Sequence, residues 1–218
     1  MRLLVVSNRL PVTVIEREGQ IKFQKSAGGL VSGLSVYLDS LKSSSIIEKE
    51  YLWVGWPGVP VAENKKNEVK EKLLSEVGSY PVFISAKEMD NFYHGFCNKT
   101  IWPLFHYFPS HIVYDEEYWQ TYIKMNQNFR DAVLEVVKPG DIIWIHDYHL
   151  MLLPRMLREK LKNPIGFFLH IPFPSFEMFR LLPAKWRTQI LEGLLGAHLI
   201  GFHTHDYTQY FLRCVHRI

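Results

Sequence analysis

The sequence predicts an α/β domain, Rossmann-like, with a mainly parallel sheet flanked by helices. DIIWIHD and IGFFLH are short continuous apolar runs of the kind that form buried parallel strands. Between them Met151 to Lys162 is apolar at Met151, Leu152, Met156, Leu157 and Leu161, the pattern of a crossover helix, so the stretch reads as one βαβ unit. A further buried strand, RLLVVS, opens the chain, and HLIGFH adds another near its end. These runs deliver His146 and Asp147, His170, and His203 to strand ends. Ligands of open parallel sheets bind beyond the carboxyl ends of the strands, so function is expected along this edge.

Arg2 to Ser7 is the first strand, followed by Asn8-Arg9-Leu10-Pro11. Pro11 cannot donate to a ladder, which leaves Arg9 in a loop at the strand's carboxyl end. An arginine there can fork onto a phosphate or carboxylate, and a surface pair with a neighbouring acid is the competing reading. Val12 to Glu16 and Gln20 to Gln24 flank Arg17-Glu18-Gly19 as a β-hairpin. Gly28 and Gly29 then open a helical apolar pattern over Leu30 to Leu41. A glycine pair at a helix start lets backbone N–H groups approach an anion, though it also suits a plain tight turn. It is neither GxGxxG nor a P-loop.

Tyr51 to Gly55 is a strand closed by Trp56-Pro57-Gly58, Glu63 to Val77 a charged helix, and Tyr80 to Ser85 a strand that Pro81 marks as an edge or an irregular start. Asp90 to Phe108 is the most aromatic tract. Tyr93 and Trp102, nine residues apart, would point to opposite faces of one straight α-helix, so their convergence on a sugar requires a break near Cys97-Asn98-Lys99. A plain aromatic core is the competing reading. Glu116 to Val137 is a long helix stopped by Lys138-Pro139-Gly140. After the βαβ unit come a short helix from Phe176 to Trp186 broken at Pro183, a second helical piece from Thr188 to Leu195, a strand at His198 to Phe202 and an amphipathic helix from Thr204 to His216.

At 218 residues the chain suits a single domain, and 47% apolar with 14% aromatic residues is a globular composition. A net charge of +3 is too small to argue for nucleic acid and leaves room for an anionic small ligand. Cys97 and Cys214 are isolated, as in a reduced, cytoplasmic protein. LLVV is too short for a signal peptide and no run reaches transmembrane length, so no membrane contact is expected. The ten histidines include no HxxxH or HExxH spacing, and His146-Asp147-Tyr148-His149 diverge at a strand end, so no metal is expected. A GxSxG elbow and a dinucleotide fingerprint are both lacking, and no cofactor is expected. Nothing in the sequence fixes the oligomeric state, and a homo-oligomer stays open.

SNRLPV, SAGGL, WVGWPG, FYHGFCNKTIWPLFHY, IIWIHDYHL, GFFLHIPFPSFEMFR and GFHTHDY occur in this order. Together they resemble the N-terminal half of the trehalose-6-phosphate synthases, retaining glycosyltransferases built from two Rossmann-like domains in the GT-B architecture. The resemblance spans nearly the whole chain, and IHDYHL with FLHIPFP is its most specific part. It implies transfer of glucose, with retention, from UDP-glucose or another nucleotide-glucose to glucose 6-phosphate in trehalose biosynthesis. It places Arg9 on the acceptor phosphate, Tyr93 and Trp102 in the acceptor pocket, and Asp147 on acceptor hydroxyls. Gly28 and Gly29 fall in the loop over the donor diphosphate and His170 beside the donor glucose, with Asp147 and His170 as the catalytic positions. Trp53 and Trp56 lie in a matching motif without a role. The family's nucleotide-binding C-terminal domain has no counterpart here. Residues 1–218 are therefore expected to be the acceptor-binding domain, folded but inactive alone. The rival readings are another phosphorylated acceptor and a non-catalytic, sugar-phosphate-binding regulatory subunit.

Overall fold

Leu3–Arg9 (β1) lies inside a parallel sheet because four apolar residues in succession bury both of its faces. Leu4 and Val6 join the core on one side, with Phe92, Phe96 and Phe129, while Leu3 and Val5 join that on the other, with Trp53, Val69 and Leu73. The computed structural model describes every residue except Met1, Glu18, Ala27, Gly28, Leu30, Ser32, 35–37 and 39–50. Gly28 and much of the expected helix from Leu30 to Leu41 thus lie outside the described residues, although Gly29, Val31, Gly33, Leu34 and Leu38 are helical.

Val12–Arg17 (β2) and Gln20–Lys25 (β3) pair antiparallel as the expected hairpin. The other described strands are Tyr51–Trp56 (β4), Ser79–Pro81 (β5), Ile142–His146 (β6), Ile165–Phe168 (β7) and Leu199–Gly201 (β8). With β1 they form a six-stranded sheet in the order β5-β4-β1-β6-β7-β8, every pairing parallel. Val5 faces Trp53 on one side and Trp144 on the other, and the β1–β4 register shifts between Val6 and Arg9. Arg2 locks the start of β1 to β6 by donating from Nη2 to Asp141 Oδ2 at 2.7 Å.

Several elements depart from the sequence expectation. The strand expected over Tyr80 to Ser85 pairs only at Ser79–Pro81, at the sheet edge where a proline is tolerated, and Val82 N–H still donates to the Gly55 carbonyl at 2.8 Å just beyond it. No break occurs at Cys97-Asn98-Lys99: the helix runs on from Ala86–Met89 through a π-helical stretch, Asp90–Ile101, into Trp102–Phe105. In i→i+5 winding each turn takes more residues than the 3.6 of an α-helix, so nine residues approach two whole turns. Tyr93 and Trp102 reach the same sheet edge by winding rather than by a break. The crossover helix is shorter than expected, a 3-10 turn at Tyr148–Leu150 and then Leu153–Arg158. Pro183 precedes a helix at Ala184–Leu195 instead of breaking one, the helix-start role proline fills without losing a hydrogen bond. The long helix Glu116–Val136 is capped by Asp115, which accepts from Glu117 N–H at 2.7 Å. Among the described residues no helix is long and apolar enough to cross a membrane.

Candidate active site

The edge is built first by the end of β1. Ser7 Oγ accepts from Trp53 Nε1–H at 2.7 Å and donates to the Arg9 carbonyl at 2.8 Å, pinning the end of β1, where Arg9 is the last strand residue rather than part of a loop. The register shift sets Arg9 beside Trp56, its guanidinium 5.6 Å from the ring centroid, a cation–π distance. Arg9 Nη2 donates to Thr13 Oγ1 at 3.1 Å, while Arg9 Nε is buried with no partner. Asn8 Oδ1 and Trp56 Nε1 are buried and unpartnered as well. All three residues border a cavity of about 250 Å³, together with Tyr93, Asp147 and His149. Buried polar atoms left unpaired cost stability, so their concentration around one cavity marks a place for a polar ligand.

Asp147, one residue past β6, has φ 74° and ψ 169°, a region normally open only to glycine. Its N–H bonds to the Phe168 carbonyl at 2.8 Å and its Oδ1 accepts from His170 N–H at 3.2 Å, which holds the residue in that conformation. Burial lifts its carboxyl to about 6, against the opposing effect of hydrogen bonds from the Tyr148 and His170 backbone. His149, behind it, is pulled down to about 3 by burial, and the Tyr93 ring stacks on it at 5.6 Å and 9°.

At the next strand end His170 Nε2 lies 3.0 Å from His146 Nδ1. Burial lowers His170 to about 4, with His203 adding to the shift, and lowers His146 to about 3, with His170 adding. At neutral pH both rings are uncharged, hydrogen-bonded to each other and able to offer a ligand polarity without charge. A second cavity of about 680 Å³ opens here, bordered by Gly29, Trp102, Trp144, Asp147, His170 and His203.

The two cavities adjoin, sharing Gly29 and Asp147. Arg9, Tyr93 and Asp147 come together around the smaller one, and Asp147, His170, Gly29 and Trp102 around the larger. Tyr93 and Trp102 thus stand on adjoining cavities rather than in one pocket. Trp102 is 41% exposed and stacked on His106 at 4.0 Å. The sequence reading left Trp56 without a role; its place at the end of a strand, just before Pro57-Gly58, was the available signal. His149 stands in the IHDYHL motif without an assigned role, and Thr13 carries no signal of its own.

Compared with known families, residues 1–218 match glycosyltransferase family 20. The α,α-trehalose-phosphate synthase [UDP-forming] 1 of Aspergillus fumigatus is 49% identical over 223 residues, covering 100% of this chain and 41% of that protein. A solved UDP-forming α,α-trehalose-phosphate synthase from Burkholderia xenovorans, in complex with glucose-6-phosphate, matches with a TM-score of 0.75 and 28% identity, over 97% of this chain and 42% of that one. The N-terminal domain of Candida albicans trehalose-6-phosphate phosphatase matches with a TM-score of 0.77 and 35% identity, over 99% and 43%. The chain spans less than half the length of each.

Proposed function

The chain belongs to glycosyltransferase family 20, and from that membership we propose that it is the acceptor-binding, N-terminal domain of a retaining, UDP-forming α,α-trehalose-phosphate synthase. In this reading glucose passes from UDP-glucose to glucose 6-phosphate in the cytoplasm, with the nucleotide held by a second domain outside residues 1–218. The observation that carries the reading is the pair of adjoining cavities meeting at Asp147, one bordered by Arg9 and the other by His170.

Each residue then has a task. Arg9 and Tyr93 receive the acceptor, Arg9 through its phosphate, with the Trp56 ring at cation–π distance from the guanidinium. Asp147 accepts hydrogen bonds from acceptor hydroxyls. His170 sits beside the donor glucose and Gly29 next to its diphosphate. Trp102, on the larger cavity beside Asp147, is the acceptor-pocket aromatic of this reading. No side chain is singled out as a nucleophile, so retention follows from departure and attack on one face of the sugar. The bond from C1 to the diphosphate oxygen breaks, a bond from C1 to the acceptor hydroxyl oxygen forms, and the acceptor proton moves to the departing diphosphate. The protein contributes orientation and charge stabilisation. No metal or cofactor enters this scheme.

The similarity to the Candida albicans phosphatase N-terminal domain favours one other reading, a domain that binds sugar phosphate without transferring glucose. Asp147 and His170 on successive strand ends favour transfer. Kinetics of the synthase that contains this chain separate the two. Arg9→Ala should raise the KM for glucose 6-phosphate with little change in the KM for UDP-glucose, at a cost of roughly 1.5–3 kcal/mol for a lost charge-assisted contact. An unchanged acceptor KM would remove Arg9 from the site, and absence of any turnover in the unmutated protein would favour the binding-only reading.

A further inference from the structure

The β2–β3 hairpin has no part in the sheet, and the proposed function leaves it without a task. It returns the chain to the end of β1: Val12 pairs with Lys25, and Ser26 N–H donates to the Pro11 carbonyl at 2.9 Å. That return sets Thr13 Oγ1 3.1 Å from Ser26 Oγ, and Thr13 Oγ1 also accepts from Arg9 Nη2 at 3.1 Å. Ser26 is buried and immediately precedes the Ala27-Gly28-Gly29 segment. We infer that Thr13 is the positioning residue for Arg9, and that Thr13 with Ser26 ties the acceptor-phosphate arginine to the residue that leads into the glycine pair of the sequence.

The chemistry of the guanidinium supports this. Arginine recognises phosphate through a planar fork of N–H groups, so its plane must be fixed before the ligand arrives. The Trp56 ring, 5.6 Å from the guanidinium, attracts the charge without fixing which way the fork's N–H groups point. The Thr13 hydroxyl removes that freedom by engaging Nη2, and Nε–H stays unpartnered at the cavity. Gly58 makes room for the arrangement. It has φ +87°, and a Cβ there would stand 2.8 Å from Thr13 Oγ1 and 3.1 Å from Arg9 Nη2. The inference rests on the assignment of Arg9 to the acceptor phosphate.

The test is calorimetric titration of the chain with glucose 6-phosphate and, separately, with glucose, for the unmodified protein, Thr13→Val, Thr13→Ser and Arg9→Ala, each with its melting temperature. Thr13→Val preserves shape and removes the hydroxyl. It should weaken glucose 6-phosphate binding about tenfold, equal to about 1.4 kcal/mol, and leave glucose binding and the melting temperature nearly unchanged. Thr13→Ser, which keeps the hydroxyl, should restore binding to within about twofold. The inference is overturned if Thr13→Val binds glucose 6-phosphate as tightly as the unmodified chain while Arg9→Ala does not. It is overturned too if Thr13→Val loses glucose and glucose 6-phosphate equally, since that is a packing defect. Unchanged binding in Arg9→Ala would instead overturn the acceptor assignment itself, and this inference with it.

Discussion

Asp147 combines two costs at one position, a backbone angle suited to glycine and a carboxylate taken out of water. A strained non-glycine residue costs of order 1–3 kcal/mol, and burial holds its carboxyl up at about 6. Asp147→Asn removes the buried charge and keeps the shape, so it should raise the melting temperature at pH 7 to 8 while weakening acceptor binding. A lower melting temperature at that pH would contradict the burial argument. His170 belongs to the same scale. Held neutral with its folded-state value near 4, it acts by position, so in the synthase that contains this chain His170→Ala should depress kcat at every pH without deleting an ionisation from the rate profile. Loss of a limb near pH 6.5 would reinstate a general base. Arg9, Asp147 and His170 were legible in the sequence because each follows an apolar run that had to be a strand. Trp56 had the strand-end signal but its closeness to Arg9 depends on a register shift, and Thr13 had no signal because a hairpin return brings it there.

At the scale of elements, what was legible had strong periodicity and what was not depended on how helices wind and meet. The central strands are continuous apolar runs, and their ends fall within about two residues of expectation. The π winding of Asp90–Ile101 escaped the reading because apolar spacing distinguishes helix from strand far better than one helix type from another. The helix Ala184–Leu195 shows a second such limit. A Cβ on Gly193 would stand 2.3 Å from the Met151 carbonyl oxygen, so the backbones meet where no side chain fits. Gly193→Ala should therefore push this helix off the turn that follows Asp147 and cost about 1–3 kcal/mol, read as a fall in melting temperature. An unchanged melting temperature would show that the two segments can part without loss.

Across the whole molecule, the buried histidines set how stability depends on pH. His146, His149 and His170 have folded-state values of about 3, 3 and 4, below the ordinary 6.5, so the unfolded chain binds more protons in that window. Stability must then rise as pH increases from about 4 to 6.5 and level off above it. Asp147, raised from 3.8 to about 6, works the other way over nearly the same window, but it is one group against three. A melting temperature that falls between pH 4.5 and 6.5 would contradict the neutral-histidine account. The parallel sheet with a core on each face should melt cooperatively. On the proposed function, which assigns the nucleotide to a second domain, the same chain should form no trehalose 6-phosphate from UDP-glucose and glucose 6-phosphate.

The most direct measurement is backbone amide NMR of the chain titrated with glucose 6-phosphate and with glucose. The account predicts saturable shifts centred on Arg9, Trp56, Tyr93 and Asp147, larger and at lower concentration for glucose 6-phosphate than for glucose. Equal responses to the two sugars would contradict it. So would shifts centred instead on the polar cavity beside β5 that is bordered by Lys66, Lys70 and Glu135.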